Sequence, residues 1–439
     1  MMKKQGSSKI GVLVLIVCLV ALLVIGWSLL PKNTLLRGLT GGGKTGAWLS
    51  VRLFPDRHGW ALTVLGVFHT EDAGQHWHNV TPWTAADFQF GGRVDALSTF
   101  VNGDDAWLVR PARSTYVKFG QNQKPEQARS FRTTDAGKTW QRAEIPDTAS
   151  TYRDTMSGPG LVTGILKPFV PQGEYRDQVS INGISAINGR NAWVTVSKSS
   201  THTGGGHEDI VFEYSRVWHS NDGGKTWKLL AEQKPAGASD RPLGLGWIYF
   251  MDAATGLMTG TTPFSLAVSR DSGAHWVAQD LPTQNLTPLD RQRATQGQAT
   301  FFDAHNGVIP MQIYTSEHSY KVFQYVTHDR AKTWQMSTIQ EPGDYHAAYY
   351  LDAQHWMLMQ GNTALVKTVD GGATWNTTSI QTGFAYISDM TFVSSKEGWA
   401  LGRNVAYLQG NQYSQDTAIT LLKTTNSGQT WTQASYTVE

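Results

Sequence analysis

"SNDGGKTW", Ser220 to Trp227, decides the fold. Its Asp can accept hydrogen bonds from amides of its own turn. Its second Gly supplies a backbone angle closed to most residues. Its Trp is a large ring to bury on a neighbour. The pattern Ser/Thr-x-Asp-x-Gly-x-x-Trp recurs as "TEDAGQHW" (Thr70–Trp77), "TTDAGKTW" (Thr133–Trp140), "SRDSGAHW" (Ser269–Trp276), "THDRAKTW" (Thr327–Trp334), "TVDGGATW" (Thr368–Trp375) and "TTNSGQTW" (Thr424–Trp431), seven copies in all. The turn acceptors are Asp72, Asp135, Asp222, Asp271, Asp329, Asp370 and Asn426. The rings are Trp77, Trp140, Trp227, Trp276, Trp334, Trp375 and Trp431. Asn426 keeps an acceptor in place of Asp. Ala331 in place of Gly predicts strain or a different turn.

A second motif precedes each copy: an aromatic or aliphatic residue, a polar turn, then Gly-Trp-Ala or a variant. It runs from "LFPDRHGWAL" (Leu53–Leu62) to "FVSSKEGWALG" (Phe392–Gly402), with Trp60, Trp107, Trp193, Trp356 and Trp399 at the return position in five copies and Leu257 and Val308 in two. Each unit reads strand, turn, strand, loop, strand, Asp turn, strand. Four antiparallel strands repeated seven times predict an all-β, seven-bladed β-propeller over 47–439. Blade packing then accounts for twelve of the 17 tryptophans, seven from one motif and five from the other.

The pattern resembles the Asp-box, or BNR, repeat family over roughly 47–437. That family includes sialidases, sortilin-type receptors, some glycoside hydrolases and photosystem II assembly factors of the plant and cyanobacterial type. The strand-plus-"GWA" unit looks most like the assembly-factor branch. The resemblance implies a propeller, and unrelated functions share that fold.

Ahead of the repeats, residues 1–9 carry Lys3, Lys4 and Lys9, and Ile10–Leu30 has no formal charge. An apolar helix of about 20 residues spans a bilayer. The expectation is one uncleaved transmembrane helix over 10–30, a short cytoplasmic N-terminus and an extracytoplasmic propeller at the cell membrane. A cleaved signal would make the protein secreted, although Val24-Ile25-Gly26 is a poor cleavage site. "GLTGGGKTG", Gly38–Gly46, matches the phosphate-loop pattern but has no strand before it and the strand-like "AWLSVRLF" after it. A phosphate loop needs a strand leading in and a helix leading out, so residues 31–46 read as a Gly-rich tether and no nucleotide is expected. Net charge +2 with 16% charged residues does not suggest nucleic-acid binding. Cys18, in the apolar segment, is the only cysteine, so disulfides and thiolate metal sites are not expected in the propeller.

The turn aspartates are spread one per blade and read as structural, since a local turn bond explains each. Glu126, Glu174, Asp177, Glu208 and Asp209 lie in suggestive loops, but a glycosidase needs two carboxyl groups facing each other across the bond. "THTGGGHED", Thr201–Asp209, holds His202 and His207 as candidate metal ligands, and its glycines predict a mobile polar loop. Cofactors are otherwise not expected. Long segments cluster on one face: Arg110–Ser130, Arg142–Gly183 and Ser197–Ile210 are neighbours around blades 2 and 3, and Leu281–Gln298 and Arg403–Thr417 are smaller. They predict a lopsided binding face with Tyr116, Arg129, Tyr152, Arg153, Phe169, Tyr175 and Arg176. The functional expectation is a non-enzymatic, membrane-anchored scaffold docking proteins at the cell envelope, with a glycan-binding or sialidase-like protein as the alternative.

Overall fold

Seven sheets, each built on four antiparallel strands, follow one another along the chain, and among the described residues a further two-stranded sheet, Tyr407–Leu408 with Gln412–Tyr413, lies between strands of the seventh. The structure is a computed structural model, and it describes residues 48–83, 96–112, 115–116, 124–154, 174–204, 207–235, 246–316, 319–380, 382–384, 386–403, 407–408, 412–413 and 419–439. The expected anchor, 10–30, and tether, 31–46, lie outside these residues. Among the described residues no helix is long and apolar enough to cross a membrane.

Blade 1 comprises Trp48–Leu53, Gly59–Thr63, Val67–Thr70 and His76–Asn79. Blade 2 comprises Leu97–Phe100, Ala106–Arg110, Arg129–Thr133 and Gln141–Glu144. Blade 3 is longer: Glu174–Ala186, Ala192–Gly204, His207–Ser220 and Lys228–Gln233. Blade 4 is Ile248–Phe250, Gly256–Thr259, Ser265–Ser269 and Val277–Asp280. Blade 5 is Thr300–Phe301, Gly307–Ser316, Ser319–Thr327 and Gln335–Met336, with Ala294–Gln296 also on its second strand. Blade 6 is Tyr345–Tyr350, Trp356–Gln360, Ala364–Thr368 and Asn376–Ser379. Blade 7 is Tyr386–Phe392, Gly398–Arg403, Ile419–Thr424 and Thr432–Gln433. The first strands of blades 2 and 3, 3 and 4, 6 and 7, and 7 and 1 touch one another, as Tyr345–Tyr350 does Tyr386–Phe392, which places them around the ring axis.

The Asp turn is built the same way in every blade. In blade 3 the Ser220 hydroxyl bonds Asp222 and accepts the Gly224 amide at 2.9 Å, while Asp222 Oδ1 accepts the amides of Lys225 and Thr226. Two successive residues must then take positive φ, Gly223 at 78° and Gly224 at 80°. Blade 5 makes this turn without glycine: Arg330 has φ 66° and Ala331 φ 57°, and the Ala331 amide still reaches Thr327 Oγ1 at 3.0 Å. The turn is therefore the same and strained, not different. Blade 4 braces it. Arg270 donates to the Arg330 and Ala331 carbonyls, and Arg330 pairs with Asp252 and donates to Thr255 Oγ1. Left-handed backbone costs a non-glycine residue about 1 kcal/mol or more, partly offset by glycine's greater freedom when unfolded. Ala331→Gly should thus raise stability by about 0.5–1 kcal/mol, read as an increase in thermal midpoint. A decrease would show that the bracing has removed the strain.

Tryptophans close the blade interfaces from both sides. Trp60, Trp107, Trp193 and Trp399 lie opposite Arg52, Thr99, Ser185 and Thr391 and bury against the following blade. Asp-turn rings meet them from that blade: Trp140 donates to the Val80 carbonyl, Trp227 to Ser130 Oγ, and Trp107 and Trp227 meet edge to face at 6.2 Å. Trp356 differs from the expected return position. It lies opposite Tyr350, the place of Gly398 opposite Phe392, so it is one residue out of register. A one-residue offset puts a side chain on the other face of a strand. Trp356 accordingly packs with Val308 and Val326 of the preceding blade, while Met357 buries among Met390 and Phe392 of blade 7. Gly256, Gly307 and Gly398 hold this place because a Cβ there would lie 2.5–2.6 Å from the ring of Phe250, Phe301 or Phe392.

Candidate functional site

Local chemistry makes the turns unsuited to a shared substrate, since each of the six carboxylates is spent on its own turn. Burial alone would raise Asp222, but the hydroxyl and amide of Thr226, the Ser220 hydroxyl and the Lys225 amide hold it at about 2, against an ordinary 3.8. Asp72, Asp271, Asp329 and Asp370 are likewise held at about 2. A folded value below the unfolded one contributes stability that is present above pH 4 or so and is lost as pH falls towards about 2. Thermal midpoints should therefore fall steeply between about pH 4 and pH 2. Asp222→Asn should flatten that slope, because Asn426 already serves its own turn without a carboxyl: its Oδ1 accepts the Thr430 amide at 3.0 Å and its Nδ2 donates to Thr430 Oγ1. An unchanged slope would remove Asp222 from the acid response.

The neighbouring insertions of blades 2 and 3 form one sheet. Its strand order runs from Lys228–Gln233 through His207–Ser220, Ala192–Gly204 and Glu174–Ala186 to Thr151–Asp154 and Thr115–Tyr116. Thr151–Asp154 comes from the link between blades 2 and 3, and Thr115–Tyr116 from the middle of blade 2. Ser197–Ile210 is therefore not a long loop. Strand pairing continues to Gly204 opposite His207, and Gly205 and Gly206 lie outside the described residues.

Backbone register arranges the expected binding residues. Tyr116 pairs with Tyr152, Tyr152 with Arg176, Arg176 with Thr201 and Thr201 with Ile210, one row across the sheet. Arg153, Tyr175, His202 and Asp209 form the adjacent row. Adjacent rows alternate between sheet faces, so these residues are divided between two faces. Arg176 is exposed. The side chains of Tyr116, Tyr152, Arg153, Tyr175, His202, His207, Glu208 and Asp209 lie outside the described residues, as does Phe169. Arg129 sits on blade 2, paired with Glu126 at 2.9 Å. Among the described residues no group of three or more His, Cys, Asp or Glu could hold a metal ion.

Two carboxylates converge on this sheet. Asp177 accepts from Ser200 at 2.7 Å, Glu213 also bonds Ser200, and Lys198 pairs with Glu213 at 2.8 Å and Asp177 at 3.8 Å. With an ammonium and a hydroxyl between them, they tie three strands together. Next to them Arg216 stacks on Tyr214 at 3.9 Å and pairs with Glu232 and Asp147.

Sequence reasoning passed over Asp389. It lies mid-strand in "YISDMTF" on the first strand of blade 7, and its Oδ2 accepts the Val51 amide of blade 1 at 3.2 Å. Burial lifts its carboxyl to about 6, opposed by the Val51 and Met390 amides and by Arg52. The signal was one carboxylate in an otherwise uncharged inner strand. Of the described first strands, those outside blade 3 contribute no other carboxylate. Asp389 and Thr391, which accepts the Leu53 amide at 3.3 Å, staple blade 7 to blade 1.

The BNR/Asp-box repeat family model matches residues 218–229, around the Asp turn of blade 3. No curated protein matches the sequence. Among solved structures, YCF48 bound to D1 peptide is similar at 17% identity, covering 82% of this chain and 91% of that one with a TM-score of 0.45. YCF48 from Cyanidioschyzon merolae is similar at 13% identity, with 78% and 86% covered and a TM-score of 0.45. The α-L-arabinofuranosidase Arb93A from Fusarium graminearum, in complex with an iminosugar inhibitor, is similar at 12% identity, with 77% and 94% covered and a TM-score of 0.36.

Proposed function

We propose that this protein is a non-enzymatic docking scaffold for other proteins at the cell envelope, held to the membrane by Ile10–Leu30 with its propeller outside the cytoplasm. One observation carries the reading: segments from three separate places in the chain pair into a single sheet on one side of the ring. Ordering chain costs roughly 1–2 kcal/mol per residue, and the strands added to blade 3 from outside it, Thr151–Asp154 and Thr115–Tyr116, are best accounted for by what they contact. The uncharged N-terminal stretch supports the anchor. A hydrolase would need a second carboxyl facing Asp389, or a cleft at Asp177 and Glu213 in place of Lys198.

The test is a photo-crosslinking residue at position 176, which is exposed, with a control at Val369, which is 66% exposed on the Asp turn of blade 6. Position 176 should capture a partner in native membranes and position 369 should not. Arg153→Pro removes an amide from a four-residue strand and should cut that capture about tenfold with little change in thermal midpoint. Arg153→Ala separates loss of the strand from loss of the side chain. Equal capture from both positions would sink the reading.

A further inference from the structure

The insertion sheet has two edges. On one, Thr151–Asp154 and then Thr115–Tyr116 are added as extra strands. On the other lies His207–Ser220. Its later part is covered, since Ser215–His219 pairs with Lys228–Gln233. Pro235 follows two residues on, and a proline has no amide to prolong that ladder. A bulge at Glu213 separates the covered part from the rest, where Tyr214 pairs with Lys198 and Phe212 with Ser199. Beyond it, His207–Phe212 pairs on its inner side with Ser199–Gly204, and nothing among the described residues pairs with its outer side. Alternate residues of a strand point their N–H and C=O outwards. Ile210 is 54% exposed and Val211 42%. Edge strands are normally blunted by Lys, other charges or Pro; "HEDIVF" has no Lys or Pro, and its charges are the acidic Glu208 and Asp209.

We infer that this edge takes an extended, basic segment of a partner protein as an added strand, which deepens and rests on the docking reading above. The sheet already recruits two segments of its own chain by strand addition at its opposite edge. Charge selects the occupant. Glu208, Asp209 and Glu213 lie between His207 and Ser215 with no Lys or Arg among them, and Lys198 on the neighbouring strand offsets one. A second copy fits poorly, because it sets one acidic stretch, Glu208, Asp209 and Glu213, against an identical one, and like charges opposed across strands are destabilising. A partner with two apolar β-formers flanked by Lys or Arg satisfies backbone, apolar and charge requirements together.

The probe is a capped, fluorescein-labelled peptide, Lys-Thr-Val-Lys-Val-Thr-Lys, titrated against the full chain by anisotropy. Its counterpart with Glu for Lys should bind at least about tenfold more weakly. Two N-methylated versions blocking alternate amides decide the mode: strand addition requires that one lose binding and the other keep it. The double variant Ile210→Lys, Val211→Lys, which leaves the inner ladder intact, should weaken binding about tenfold. Equal effects of both methylation phases, or binding indifferent to the double variant, would overturn the inference. So would a wild-type chain that sediments as a dimer and becomes monomeric in the variant, because the occupant would then be a second copy. If the peptide fails while Arg153→Pro still abolishes crosslinking at 176, the edge is wrong and the docking face stands. If the peptide binds by strand addition while position 176 captures nothing, the edge stands and the wider face falls.

Discussion

Trp193→Ala should destabilise the propeller by about 3–5 kcal/mol, the range for deleting a large buried ring. Trp193 is fully buried between two aromatic rings. One is His219 of its own blade, stacked at 4.6 Å, and the other is Phe250 of blade 4, stacked at 3.7 Å and 7°. Its indole also donates to the Ser272 carbonyl in the Asp turn of blade 4 at 2.8 Å. Truncation opens a cavity at a blade interface, unstacks two rings and leaves a carbonyl of the next blade's turn without its donor. Trp193→Phe keeps an apolar ring and loses the hydrogen bond, so it should cost less, about 1–2 kcal/mol. Denaturant unfolding distinguishes the two through their midpoints at constant slope. A Trp193→Ala loss under about 1 kcal/mol would mean that blades are held by strand contacts near the axis and not by the tryptophans.

What could be read from the chain was what is local. An Asp turn is closed by bonds spanning four residues, such as Ser220 to Gly224 and Asp222 to Thr226, so its whole physics fits in eight letters. That is why seven turns, and with them seven blades, were legible, and why even Asn426 was correctly retained. The register of Trp356 was not, because motif spelling locates a Trp only to within one residue and that residue decides which blade it faces. The insertion sheet was legible as a location and not as a structure. Its pairs join Tyr116 to Tyr152 and Tyr152 to Arg176, segments with no periodicity to announce a strand. Asp389 escaped for the opposite reason: an isolated Asp draws no attention until Val51, more than 300 residues away, supplies its partner.

Deleting Tyr436–Glu439 should cost about 2–4 kcal/mol, taking roughly 1 kcal/mol for each backbone bond lost and about 1 for the ring contact. In this ring blade 1 already has its four strands, and the last strand, Thr437–Val438, adds to it as a fifth, parallel to His76–Asn79. It follows directly from blade 7, so it ties the ends of the ring together. The Thr437 amide reaches the Gln75 carbonyl at 2.8 Å, the Glu439 amide reaches Trp77 at 2.9 Å, and the Asn79 amide reaches Glu439 at 3.2 Å. Tyr436 meets the fully buried Trp48 edge to face at 5.4 Å. The ion pair of Glu439 with His78, at 3.6 Å and exposed, should add nothing measurable. Glu439→Gln is therefore the control, with no shift in midpoint expected. Hydrogen exchange locates the damage: the Asn79 amide should lose protection in the deletion variant and keep it in Glu439→Gln. If the deletion leaves both the midpoint and that amide unchanged, closure rests on Asp389, Thr391 and Trp399 at the inner seam, and the added strand is an ornament of blade 1.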